Sequence, residues 1–359
     1  MLLNLDNIIF SLQRTGGISV YWYELISRII ASEHAPQYFN LKKNNNIFGN
    51  QLIDKIRPVE ESMLPTYALK YLPFHHALKA GSIFHSSFLR VSLQKNITNV
   101  LTIHDLIYEK KFIRGAGRFV NMEQKRFALN NADHIICVSE NTKHDLLEFY
   151  PFTMEKEITV IHNGVSSDYF PTTDPFSSSK FLIEPYKYIL YVGGRSNYKN
   201  FELAVDIVSA LSDYTLVLVG GKTMHTKEYE LLSTKLPNRF RLFQSISSED
   251  LNLLYNSAFC LLYPSNYEGF GIPVVEAMRA GCPVVALNTS LIPEVAGDAA
   301  LLASEPSLEE FCSLIHLLTN FKFRNIQINS GFKQAALFSW DTCFENTLDV
   351  YKQAHSGLV

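Results

Sequence analysis

At 359 residues, with 47% hydrophobic and 19% charged side chains, the chain is too long for one ordinary core and too apolar to be disordered. A formal charge of −3 offers no basic excess for nucleic acid, although the first half is slightly basic and the second acidic. The five cysteines stand far apart without a Cys-x-x-Cys pair, which argues against a zinc ribbon or redox dithiol and suits a reducing cytosol.

The opening MLLNLDNIIF has no basic segment ahead of an apolar run and no small-residue cleavage site, so it is expected to form a first strand and not a signal peptide. A Gly16-Gly17 turn and the helical SVYWYELISRII follow. The strand-length runs GSIFHSS, NVLTIHD, HIICVS and ITVIHNG then alternate with two helical candidates, VNMEQKRFALNNA and NTKHDLLEFY, the second opened by Asn141 as a cap. Strands alternating with helices and lacking hairpin turns predict a parallel sheet covered on both faces. Residues 64–80, LPTYALKYLPFHHALKA, mix aromatics with Lys70 and Lys79; an ordinary helical hairpin broken at Pro73 is preferred there to an interfacial helix or an acceptor groove.

Residues 165–185 have linker composition, with three prolines and a serine run. The alternation then restarts. YILYVGG, YTLVLVGG, RFRLFQ, FCLLYPS and CPVVAL read as strands. NFELAVDIVSAL, SEDLNLLYNSA (capped by Ser247 or Ser248), PVVEAMRAG and SLEEFCSLIHLLT read as helices. Two doubly wound sheets joined by a linker and facing a cleft are expected, with ligands in the loops after strands. The longest uncharged stretches are too short to span a bilayer.

Those loops hold the candidate chemistry. Gly193-Gly194 follow a strand and precede a helix, with Arg195 and Lys199 beside them. Either a diphosphate or a solvated turn accounts for that pattern. In YEGFGIPVVEAM, Gly269 and Gly271 bare the backbone, Pro273 suits a first helical position, and Glu276 then falls in the first helical turn. A helix start accounts for Glu276 but not for Glu268, which either caps amides or binds a polyol. In the first half, Gly16-Gly17 suits anion or sugar contact, while His104, Asp105 and Ser139 stand at strand ends. A rim histidine and a helix cap are the plain alternatives.

Several chemistries lack their parts. No Walker-type phosphate loop, zinc-binding His-Glu-x-x-His or nucleophile elbow occurs. No Asp-x-Asp pair is present to hold a metal on a sugar nucleotide, so no metal or other cofactor is expected.

With these residues in place, the chain resembles retaining glycosyltransferases of family 4, which have the GT-B fold of two Rossmann-like doubly wound domains. The resemblance rests on RTGGIS at 14–19, TIHDL at 102–106, VSENT at 138–142, VIHNGV at 160–165, YVGGR…KN at 191–200, PSNYEGFGIPVVEAM at 264–278, AGCPVV at 280–285 and PEVAGDAA at 293–300. It implies an acceptor domain over 1–167, a linker over 168–185, a nucleotide-sugar donor domain over 186–338, and a final helix over 339–359 crossing back to the first domain.

By the same resemblance, Glu268 touches the donor sugar near its reacting face, aided by backbone amides of Gly269, Phe270, Gly271 and Ile272. Glu276 bonds the ribose, and Arg195 and Lys199 hold the diphosphate. Gly16 and Gly17 approach the phosphates, His104 contacts the hexose, and Asp105 and Ser139 lie on the acceptor side.

The Gly-Gly-Ile segment is similar to O-antigen mannosyltransferases, which implies mannose from GDP-mannose passed to a surface saccharide or a polyprenyl-diphosphate-linked one. UDP- or dTDP-sugar transfer, or a UDP-sugar epimerase, are the alternatives. Gln244 replaces a glycine common in the family near the base, which leaves base identity open. Arg195, Lys199, Glu268 and Glu276 occurring together argue against a decayed subunit. A cytoplasmic protein, touching the inner membrane peripherally, is the implied setting.

Overall fold

The computed structural model describes residues 1–42, 45–61, 64–172 and 181–356. They form two compact units, Met1–Gly164 with Trp340–Val359, and Val165–Ser339. The first begins with β1 (Leu3–Asp6), α1 (Ile9–Leu12), α2 (Gly17–Ala31), β2 (Gln37–Phe39), α3 (Ile47–Leu52) and α4 (Thr66–Leu69). It continues through β3 (Ser82–Ser86), β4 (Ile97–Ile103), α5 (Ala116–Asn131), β5 (His134–Cys137), α6 (Glu140–Phe149) and β6 (Glu157–Val160).

The second unit runs β7 (Tyr188–Val192), α7 (Phe201–Ala210), β8 (Thr215–Val219), α8 (Thr226–Lys235), β9 (Phe240–Phe243), α9 (Ser248–Ser257) and β10 (Cys260–Tyr263). Then come α10 (Ile272–Arg279), β11 (Val284–Leu287), α11 (Ile292–Ala296), β12 (Ala300–Ala303), α12 (Leu308–Leu317) and α13 (Phe321–Ala335). The last helix, α14 (Trp340–Ser356), belongs to the first unit.

Both sheets are six-stranded, ordered β2-β1-β3-β4-β5-β6 and β12-β11-β10-β7-β8-β9. Every pairing described is parallel. β1, β3, β4 and β10 are buried along their whole length, as strands with both faces covered must be. Helix α2 carries Tyr21, Trp22, Leu25, Ile26 and Ile29 on one stripe into the first core. Trp340, Val350, Tyr351 and Ala354 of α14 join that core, so the end of the sequence is packed with its beginning.

Local details depart from the sequence expectations. MLLNLDNIIF is a strand followed by one helical turn, because the chain must leave β1 at the sheet's end. Ser139, not Asn141, caps α6. β5 ends at Cys137, and the Ser139 hydroxyl accepts the Thr142 amide at 3.0 Å from an extended backbone. No hairpin forms at Pro73: α4 is one turn, and Phe74 bridges to Ser92 instead. Of the 165–185 segment, residues 173–180 lie outside the described residues. Val165–Thr172 is packed on the second unit, with the Phe170 and Thr172 amides bound by the side chains of Asn252 and Asn256. Among the described residues no helix is long and apolar enough to cross a membrane.

Candidate active site

In the second sheet the strand order reverses between β7 and β10, so the loops after these two strands flank the crevice where open α/β sheets take ligands. The two loops are tied together. Asn200, in the left-handed region at φ 50°, donates to the Pro264 carbonyl at 2.8 Å and to the Asn266 side-chain oxygen at 3.0 Å. The Asn266 amide donates to the Tyr198 carbonyl at 2.7 Å. Ser290 fastens the second loop from behind, its hydroxyl donating to the Glu268 carbonyl at 2.9 Å.

Across this join, Lys199 Nζ donates to Glu268 Oε1 at 2.6 Å, and both side chains are largely buried, at 15% and 13% exposure. Burial opposes the ammonium form, but Glu268 and Tyr198 outweigh it and hold the Lys199 pKa above the ordinary lysine value. Tyr263, at the end of β10, also bonds Glu268; burial and that carboxylate push its phenol pKa far up. Gly193 has φ +135°, where a side chain would be strained, and a Cβ there would touch Lys199 Nζ at an ordinary 3.5 Å.

Arg195 points elsewhere. Its guanidinium donates to the carbonyls of Gly220 and Lys222 after β8 and to Glu228 Oε2 at 3.2 Å. Glu228 also accepts the His225 amide at the start of α8, so Arg195 joins that helix to the β8 loop.

The YEGFGIP segment turns as expected but starts its helix later. Gly271 caps α10 at φ +76°, where a Cβ would sit 3.2 Å from Ile292 Cδ1, and Ile272 precedes Pro273 as the first helical residue. The Phe270 ring is buried edge-on against Phe338. Glu276 therefore falls one turn inside the helix and not in its first turn, which contains no acid. Its Oε2 accepts the Tyr255 hydroxyl at 3.0 Å, and Tyr169 donates as well. Burial prevails over these bonds and raises the Glu276 pKa to about 7.

The first unit groups its own candidates. Gly16 caps α2 and its carbonyl accepts the Val20 amide, while Gly17 is exposed at the helix start. His104 follows β4, with the Tyr21 ring edge-on at 4.9 Å, and burial lowers its pKa to about 4. It is therefore neutral at pH 7 and can share a hydrogen bond with a hydroxyl without adding charge. Asp105 shapes the following turn, its carboxylate accepting the Ile107 amide at 3.2 Å and its carbonyl accepting Lys125 Nζ at 3.0 Å. Ser139 is spent as the α6 cap.

The structure thus brings Lys199, Glu268 and the α10 start together, and separately places His104 beside Asp105. Sequence reading missed Tyr263, Asn200 with Asn266, Ser290 and Glu228. An asparagine ahead of a helix was a usable signal for Asn200, since asparagine tolerates left-handed backbone. It also missed the buried chain behind His104. The Tyr351 hydroxyl lies 2.7 Å from His85 Nδ1, His85 Nε2 lies 3.0 Å from Thr102 Oγ1, and that oxygen lies 3.2 Å from the Tyr21 hydroxyl.

Each unit matches a known family. Residues 15–169 match the model for Glycosyltransferase Family 4, and residues 174–334 match that for Glycosyl transferases group 1. The O-antigen chain mannosyltransferase B of Escherichia coli is 29% identical over 266 residues, covering 70% of each chain. The MMP alpha-(1->4)-mannosyltransferase of Mycolicibacterium hassiacum is 33% identical over 69% of this chain and 60% of its own. The structure of a sucrose-phosphate synthase from Thermosynechococcus elongatus shares the fold at a TM-score of 0.79 and 18% identity, covering 99% of this chain and 100% of its own.

Proposed function

This chain belongs to the family 4 glycosyltransferases of the GT-B fold, and on that premise we propose that it is a retaining mannosyltransferase that uses GDP-mannose. The acceptor on this reading is a surface-polysaccharide saccharide, carried on a polyprenyl diphosphate at the cytoplasmic face of the inner membrane. Two relatives named as mannosyltransferases support the sugar.

The observation that carries the reading is the Lys199–Glu268 pair at the switch point between β7 and β10. The buried ammonium and the amides at the start of α10 offer positive charge where a diphosphate leaves. Glu268 bonds donor hydroxyls beside it, and the Glu276 carboxyl meets the ribose. Arg195 holds the β8 loop in shape, so Lys199 is the principal cation. Charge on the leaving group is met by protein groups, and activity is expected to survive a chelator.

As the bond from the sugar's anomeric carbon to the phosphate oxygen breaks, the acceptor hydroxyl attacks the same face. Its proton passes to the departing phosphate. Glu268 needs no covalent role, because its carboxylate is already engaged by Lys199 and Tyr263. Mass spectrometry showing a glycosylated Glu268 would contradict this step.

A screen of GDP-, UDP- and dTDP-sugars, with product linkage read by NMR, tests the reading. Turnover confined to UDP- or dTDP-sugars would remove the mannose assignment. The epimerase alternative gains no support from relatives named as transferases. NMR of donor incubated without acceptor would reveal it.

A further inference from the structure

The first unit contains a cavity of about 240 Å³ between α4, the loops following β3 and β4, and the start of α5. Its wall carries three tyrosines, Tyr67, Tyr71 and Tyr108, and three cations, Lys70, Arg114 and Arg118, with no acidic side chain among the described lining residues. Lys70 Nζ lies over the rings of Tyr67 and Tyr71, 4.1 and 4.6 Å from their centroids. Arg118 Nε donates to the Tyr108 carbonyl at 2.7 Å, leaving its terminal nitrogens for another partner.

Asp105 and Glu109 act on Tyr108 from behind the wall, but Glu109 is already paired with Lys125, so the three lining cations leave the pocket positive and favour an anion among them. A second observation points the same way. Asn121 lines this cavity, and its Oδ1 is buried without a hydrogen-bond partner. A buried amide oxygen is costly unless a donor reaches it, and a sugar hydroxyl becomes that donor once the Asn121 side chain, closed off from the pocket as it stands, turns into it. Tyr67 and Tyr71 stand at 82° to each other, so the C–H side of a pyranose lies flat on one ring and meets the other at its edge. The same segments expose Leu72, Phe119 and Val120, apolar surface suited to a prenyl chain.

We propose that this cavity binds the sugar-phosphate end of a polyprenyl-diphosphate-linked acceptor. The phosphate oxygens meet Lys70, Arg114 and Arg118, a sugar hydroxyl meets Asn121, and the ring rests on one of the two tyrosines, Tyr67 or Tyr71. The inference deepens the acceptor class proposed above and rests on it. It gives that class a place in the first unit, close in sequence to His104 and Asp105.

Calorimetry with farnesyl-diphosphate-linked N-acetylglucosamine, and with the octyl glycoside of the same sugar, separates the anion from the saccharide. The double variant Lys70→Gln/Arg114→Gln is expected to weaken the diphosphate probe by roughly tenfold or more while sparing the octyl glycoside. Asn121→Ala is expected to weaken both. Undiminished affinity of the double variant for the diphosphate probe overturns the proposal. So does a loss confined to sedimentation with phosphatidylglycerol vesicles, which would assign the cations to a lipid headgroup. Binding is read without turnover, so a wild-type protein that binds the probe but transfers no sugar would refute the functional reading and not the cavity.

Discussion

Lys199 and Glu268 are 69 residues apart in sequence and 2.6 Å apart in space, and this contact joins the loops at the ends of β7 and β10. The ammonium is therefore held in place before any donor arrives. On the proposed reading, an incoming diphosphate competes with Glu268 for it, and the carboxylate, still held by Tyr263, turns in part to the sugar hydroxyls. Two residues that work by exchanging partners should fail as a unit. Lys199→Met and Glu268→Gln are each expected to lower kcat by about 10²–10³, the range for one lost charge-stabilising contact. The double variant should be close to the worse single one. Losses that multiply in steady-state kinetics would show that the two act independently.

Asn200 does two things, and two substitutions separate them. It holds a left-handed backbone and bridges the loops through Pro264 and Asn266. Asn200→Gly keeps the conformation and loses the bridge, which should cost about 1–2 kcal/mol in urea denaturation. Asn200→Ala loses both and should cost about 1 kcal/mol more. Equal stability of the glycine variant and the wild type would mean that the bridge adds nothing.

Much of this arrangement was readable as sequence, for a physical reason. Strands buried on both faces appear as unbroken apolar runs, and YILYVGG, FCLLYPS and NVLTIHD each became a parallel strand with its candidate residues in the loop that follows. Three-residue β2 at the sheet's edge and α8, with only Leu232 buried, leave little such trace. Partner choice was also hidden. Glu276 contacts Tyr255 because α9 packs on α10, and Arg195 meets Glu228 because α8 begins beside the β8 loop. Neither relationship follows from spacing, since it depends on which strands become neighbours.

Gly271 tests whether the start of α10 must be built as it is. Its φ of +76° strains any residue with a Cβ, and the added carbon would press on Ile292 Cδ1 at 3.2 Å. Gly271→Ala is expected to lose about 1–2 kcal/mol of stability and to raise KM for the donor, because the amides beside it shift. Adding Ile292→Val relieves the contact but not the backbone, so thermal melts should show partial recovery. Full recovery would place the whole effect in the side-chain contact.

The Glu276 carboxyl makes a prediction about pH whose sign can be worked out. Burial raises its pKa to about 7, from 4.5 in an exposed chain. Between those values the folded chain keeps a proton that the unfolded chain has released. Stability from this group therefore falls as pH rises from 4.5 to about 7, and is level outside that window. The span amounts to roughly 3 kcal/mol at most. His85 and His104 act in the opposite sense: burial lowers their pKa to about 3 and about 4, so they favour the fold as pH rises towards 6.5. A wild-type curve mixes the two trends, and the difference from Glu276→Gln isolates the first. Glutamine keeps an oxygen for Tyr255 and Tyr169 and carries no charge. In urea denaturation the variant should match the wild type near pH 4.5 and exceed it by up to a few kcal/mol at pH 8. A difference independent of pH would mean that the carboxyl titrates alike in the folded and unfolded chain, the bonds from its two tyrosines offsetting burial.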